Sequence, residues 1–85
     1  MQKTIHTKQS ALIIGAIKQV REDAKLTQRE LCRRLGKEHT FISKCELGER
    51  RLDMAEFYWI CKACDASPTK QAELLMKTFE KLGDG

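Results

Sequence analysis

The sequence predicts an all-α domain of five short helices, on three observations. Apolar residues recur at intervals of three and four nearly throughout, and strand-like alternation is absent. Four helix-start signals divide the chain. No internal repeat, low-complexity tract or Gly/Ser linker interrupts its 85 residues, 41% of them hydrophobic and 33% charged, which suffices for one small core and not for two.

Ile13, Ile17 and Val20 lie on one stripe of a first helix spanning about 10–24, with Ser10 as its expected N-cap. Thr27 and Glu30 form a capping box in which the hydroxyl bonds the N3 amide and the carboxylate reaches back to the N-cap amide. Leu31, Cys32 and Leu35 then face inward, and Gly36 closes this short second helix in a left-handed conformation. Only a tight turn fits before Phe41, Ile42 and Cys45 resume helical spacing up to Gly48. Asp53 and Glu56 form a second capping box, opening a helix whose apolar stripe is Met54, Phe57, Ile60, Cys61 and Cys64, with an end near Asp65. Phe57, Tyr58 and Trp59 are read as core and rim packing. Ser67 and Pro68 start the last helix, about 68–82, with Ala72, Leu75, Met76, Phe79 and Leu82 on one face and Gly83 as cap.

Two short helices meeting through a Gly-containing turn make a candidate helix-turn-helix. The run Leu26-Thr27-Gln28-Arg29-Glu30-Leu31-Cys32-Arg33-Arg34-Leu35-Gly36 resembles the second helix of the phage repressor and Cro-type, or XRE-like, helix-turn-helix family. Phe41-Ile42-Ser43-Lys44 with Glu46 and Gly48 resembles its recognition helix, and the likeness covers about residues 10–75. It implies a compact five-helix, lambda-repressor-like domain. Cys32 falls where the helices cross closely and a small side chain is required, and Leu31, Leu35, Ile42 and Cys45 seal that crossing. Lys37 stands where the family often has an apolar residue. Lys25 stands where it often has Gly, so the loop before Leu26 is expected to hold a non-glycine residue at positive φ.

The resemblance further implies an ion pair between Arg21 and Glu46, structural rather than catalytic, and a phosphate-holding role for Gln28 beside the helix N-terminus. Given the fold, His39, Thr40, Ser43 and Lys44 point outward from the third helix and are the candidate base readers of double-stranded DNA. Arg29, Arg33, Lys37, Arg50 and Arg51 are the other candidate phosphate contacts, supplying affinity and salt dependence. Glu38 is a poor N-cap that carries negative charge near the phosphates. It reads cytosine or rejects wrong sites.

Sixteen Lys and Arg against 12 Asp and Glu leave a net charge of +4, a mild bias toward anionic partners. The longest apolar run, 11–16, is far below the roughly 20 residues a membrane-spanning helix needs. No cleavable leader follows Lys3 and Lys8, and the expected compartment is the cytoplasm, where Cys32, Cys45, Cys61 and Cys64 stay reduced as small buried hydrophobes. Cys61 and Cys64 form a C-x-x-C pair inside a helix, without the spacing of a complete zinc set, so no metal or other cofactor is expected. His6 and His39 lie beside no nucleophile or dyad, and no Gly-rich phosphate loop exists, so no enzyme and no small-molecule substrate are expected. The stripe of the last helix extends past the family likeness. Met76, Phe79 and Leu82 are therefore candidates for a homodimer contact, and a symmetric dimer implies a palindromic operator. The reading is a cytoplasmic DNA-binding repressor. Its alternatives are an antitoxin-like or adaptor module that binds another protein, and a zinc or redox sensor using Cys61 and Cys64.

Overall fold

The computed structural model describes residues 7–83 and contains helices α1 (Lys8–Asp23), α2 (Gln28–Leu35), α3 (Phe41–Glu46), α4 (Met54–Ala63) and α5 (Pro68–Leu82). Both capping boxes form: the Thr27 hydroxyl accepts from the Glu30 amide at 3.0 Å while the Glu30 carboxylate accepts from the Thr27 amide at 2.8 Å. Asp53 and Glu56 repeat the arrangement at 2.7 and 2.9 Å. The Ser67 hydroxyl caps α5, with Pro68 in the first turn. Helix α1 starts earlier than its sequence pattern suggests. Thr7, not Ser10, is the N-cap, because its hydroxyl accepts the Ser10 amide at 3.0 Å and makes Ser10 the third residue of the turn.

Four helices end in the same way. Gly36 and Gly48, at φ 69 and 79, follow α2 and α3, and Lys25 and Asp65, at φ 63 and 57, follow α1 and α4. In each case the next amide reaches back five residues: Leu26 to the Arg21 carbonyl, Lys37 to Cys32, Glu49 to Lys44 and Ala66 to Cys61. The two non-glycine residues accept the left-handed conformation because the hydrophobic residue after each, Leu26 or Ala66, packs on the core.

That core joins Ile17 and Val20 of α1, Leu31 and Cys32 of α2, Phe41, Ile42 and Cys45 of α3, and Ile60 of α4 with Cys64 just beyond it. Leu35 packs half-buried at its edge. All four cysteines are free and buried. Met54 departs from its predicted place: it is 85% exposed, because it opens the first turn of α4 beyond the layer that covers Phe57 and Ile60. Tyr58 and Trp59 are also exposed, packed edge to face with ring centroids 5.0 Å apart, so only Phe57 of the aromatic cluster joins the core. No helix among the described residues is long and apolar enough to cross a membrane.

Candidate nucleic-acid interface

Helix α3 has one covered and one open face. Phe41, Ile42 and Cys45 are buried, while His39 and Lys44 are exposed and Thr40 and Ser43 are half-buried. The short helix is fixed from α2 by an unusual bond: the Ile42 amide donates to the Cys32 sulfur at 3.4 Å, and the Cys32 thiol faces the His39 carbonyl at 3.6 Å. The small residue at the crossing therefore fills space and also satisfies an amide of the first turn of α3. Thr40, in the N-cap position with an αR backbone, accepts no side-chain cap bond, and its hydroxyl donates to Glu38 Oε1 at 3.0 Å. Ser43 donates its hydroxyl to the Thr40 carbonyl at 3.0 Å, which leaves it only acceptor capacity toward a base edge. Lys44 Nζ lies 3.9 Å from Glu38 Oε1.

At the other end of α3, Glu46 gathers three donors. Arg21 Nε reaches Oε2 at 2.8 Å, Arg21 Nη2 reaches Oε1 at 3.1 Å, and Gln28 Nε2 reaches Oε1 at 2.8 Å. Arg21 Nη1 also donates to the Leu26 carbonyl at 2.8 Å, tying α1, the first loop, α2 and α3 together. The Glu46 hydrogen bond holds the Arg21 guanidinium above its ordinary pKa. Gln28 is thus a member of this interior network as well as the first residue of α2.

Arg29, Arg33, Lys37 and His39 line one shallow depression on the outer side of α2 and the turn, with Cys32 at its floor. Arg50 is placed differently. Both of its terminal nitrogens grip the Glu56 carboxylate, at 3.0 and 2.8 Å, and its guanidinium sits 4.8 Å from the Phe41 ring centroid, near which Lys37 also lies at 5.2 Å. Hydrogen bonding to Arg50 holds the Glu56 carboxyl below its ordinary pKa. Arg51 is exposed in the loop that follows α3. Sequence reasoning assigned nothing to Arg34, whose Nη1 donates to the Ala63 carbonyl at 2.8 Å and closes the end of α4; a basic residue facing a helix C-terminus was its only signal. It likewise treated Glu56 as a cap alone.

Cys61 and Cys64 lie in the interior, and burial pushes the Cys61 thiol up to about 11 and Cys64 above its ordinary value. A neutral buried thiol is a poor nucleophile and a poor ligand at neutral pH. Among the described residues no three His, Cys, Asp or Glu side chains converge into a metal-sized cluster. His6 lies outside the described residues.

Comparison with known proteins agrees with this architecture. A family model described as a helix-turn-helix domain matches residues 15–74. An XRE-family-like protein from Pseudomonas syringae pv. tomato superposes with a TM-score of 0.81 at 35% identity, over 88% of this chain and 92% of that one. The chain belongs to the XRE-like helix-turn-helix family. The restriction-modification controller protein C.Esp1396I has the same fold, with a TM-score of 0.76 and 25% identity over 85% of this chain and 95% of its own. A hypothetical transcription factor from Neisseria shares the fold at a TM-score of 0.67 and 15% identity, covering 84% and 80% of the two chains. None of the curated protein sequences matches this chain significantly. The all-α helix-turn-helix fold is the scaffold of DNA-binding transcription regulators.

Proposed function

We propose that this chain is a sequence-specific, non-enzymatic transcriptional regulator, a single helix-turn-helix domain that binds a palindromic operator as a homodimer and represses by excluding polymerase. The observation that carries the reading is the open face of α3, with Lys44 and Thr40 at its outer edge, beside the basic depression of Arg29, Arg33 and Lys37 on α2. In the major groove Lys44 donates to guanine, Thr40 offers a methyl or hydroxyl, His39 reaches a base edge and Ser43 accepts. Gln28, Arg29 and Arg33 of α2 and Lys37 meet phosphates, with Arg51 beyond α3. Arg50 joins them only by releasing Glu56, so it is the weakest member of that set.

The dimer contact centres on Met76. It is 51% exposed, whereas Phe79 and Leu82 are half-buried against the chain itself. Met76 shares an apolar groove of about 410 Å³ with Met54, Phe57, Tyr58 and Ala72, which supports a contact wider than α5 alone. Two copies joined there would present recognition helices about 34 Å apart on one side of the duplex.

Selection of fragments from a random DNA pool by the purified chain tests the reading. An enriched inverted repeat that binds two chains is expected. Failure to enrich any sequence overturns it and turns attention to the exposed Met54, Tyr58 and Met76 as a surface for a different protein.

A further inference from the structure

We propose that Glu38 is a specificity-determining residue, which together with Lys44 reads one G·C base pair of the operator half-site. The inference rests on the DNA-binding reading above and adds a base to it. Glu38 lies just outside the N-terminal end of α3 with its side chain 72% exposed. Its Oε1 accepts the Thr40 hydroxyl at 3.0 Å and lies 3.9 Å from Lys44 Nζ, so one oxygen bonds one of the four candidate base readers and faces a second. Its Oε2 makes no hydrogen bond to the described residues and is the free acceptor.

A carboxylate among DNA phosphates weakens binding unless it meets a donor. In the major groove the donors are the amino groups of cytosine N4 and adenine N6. Adenine sets its N7 acceptor beside N6, which repels a carboxylate. Across a C·G pair the cytosine amino group lies next to guanine O6 and N7, both acceptors for an ammonium. An acceptor and a donor side by side, Glu38 and Lys44, match that edge. An exposed ion pair at 3.9 Å is weak, and opening it toward a base sacrifices little. A solvated surface pair would explain the charge contact alone. It would leave out the Thr40 hydroxyl, which donates to the same Glu38 oxygen and holds that carboxylate beside the start of α3.

The test is selection from random DNA by the wild-type chain, Glu38→Ala, Glu38→Gln and Lys44→Ala, with thermal unfolding to confirm that each folds. The wild-type chain is expected to prefer C·G at one half-site position by about tenfold. Glu38→Ala and Lys44→Ala lose the preference at that position and keep the others. Glu38→Gln relaxes it or moves it toward A·T, because a glutamine amide pairs with adenine N6 and N7. A half-site profile unchanged in Glu38→Ala, with affinity for all DNA rising uniformly, overturns the inference and leaves the DNA-binding reading standing. A wild-type chain that enriches no sequence overturns both.

Discussion

The two ends of α3 carry the same chemistry in opposite settings. At its C-terminal end Glu46 and Arg21, with side chains 6% and 11% exposed, meet at 2.8 Å in a network that includes Gln28 and a loop carbonyl. Beyond its N-terminal end Glu38, 72% exposed, approaches the 50% exposed Lys44 of the last turn only to 3.9 Å. A buried pair whose carboxylate oxygens both accept hydrogen bonds fixes geometry, and removing one partner strands a charge. An exposed pair contributes little to stability and exchanges its partner readily. The helix is thus anchored at one end and left chemically available at the other, which is what a reader of another molecule's edges requires.

Breaking the anchored end has the largest expected effect. Glu46→Ala leaves Arg21 without its carboxylate and should destabilise the chain by about 3–5 kcal/mol in urea unfolding. A loss under about 1 kcal/mol would place the pair among surface contacts. Backbone conformation comes next. Gly36→Ala meets no atom within 4 Å of the new Cβ, so its cost is backbone strain alone, about 1 kcal/mol. Lys25→Gly should gain roughly 0.5–1 kcal/mol at its positive φ, and Asp65→Gly less, since Asp tolerates this region better. A loss on Lys25→Gly would show that its side chain contributes more than its backbone opposes.

Acid sharpens the contrast further. The Glu56 carboxyl titrates below its ordinary 4.5 in the folded chain because Arg50 holds its charged form. That contribution is present above pH 4.5 and is lost as pH falls through the depressed value. Glu56→Gln should flatten stability between neutral pH and pH 3, read by unfolding midpoints across that range. The smallest effect is expected at the open end: Lys44→Ala and Glu38→Ala should change stability by less than about 0.5 kcal/mol. A larger change would make that pair structural.

The fold was legible because its signals are local. Capping boxes at Thr27 and Asp53, the turn at Gly36 and the inward set Leu31, Cys32, Ile42 and Cys45 all depend on neighbours within a few residues. What escaped depends on where neighbouring helices stop. Met54 falls on the apolar stripe of α4, yet it is left exposed at the start of that helix. The end of α4 near Asp65 was legible, but the positive φ of Asp65 was not, since only Ala66 announces it. The candidate site divides in the same way. Spacing separates the outward His39, Thr40 and Lys44 from the buried Phe41 and Ile42. It says nothing of Arg50 turning to Glu56, six residues away, or of Gln28 joining Glu46 across the helix pair. Those partners are chosen by tertiary packing, and charge alone ranked Arg50 with the free arginines.

We propose that an anchored α3 presents its open face, with the start of α2, to DNA. A salt titration on the enriched fragment, comparing the wild-type chain with the Gln28→Ala, Lys44→Ala double variant, tests it most directly. Wild-type affinity is expected to fall steeply as salt rises, and the variant to bind at least about tenfold more weakly while remaining folded. A folded variant that binds as tightly as the wild type, or a wild-type affinity indifferent to salt, would contradict it.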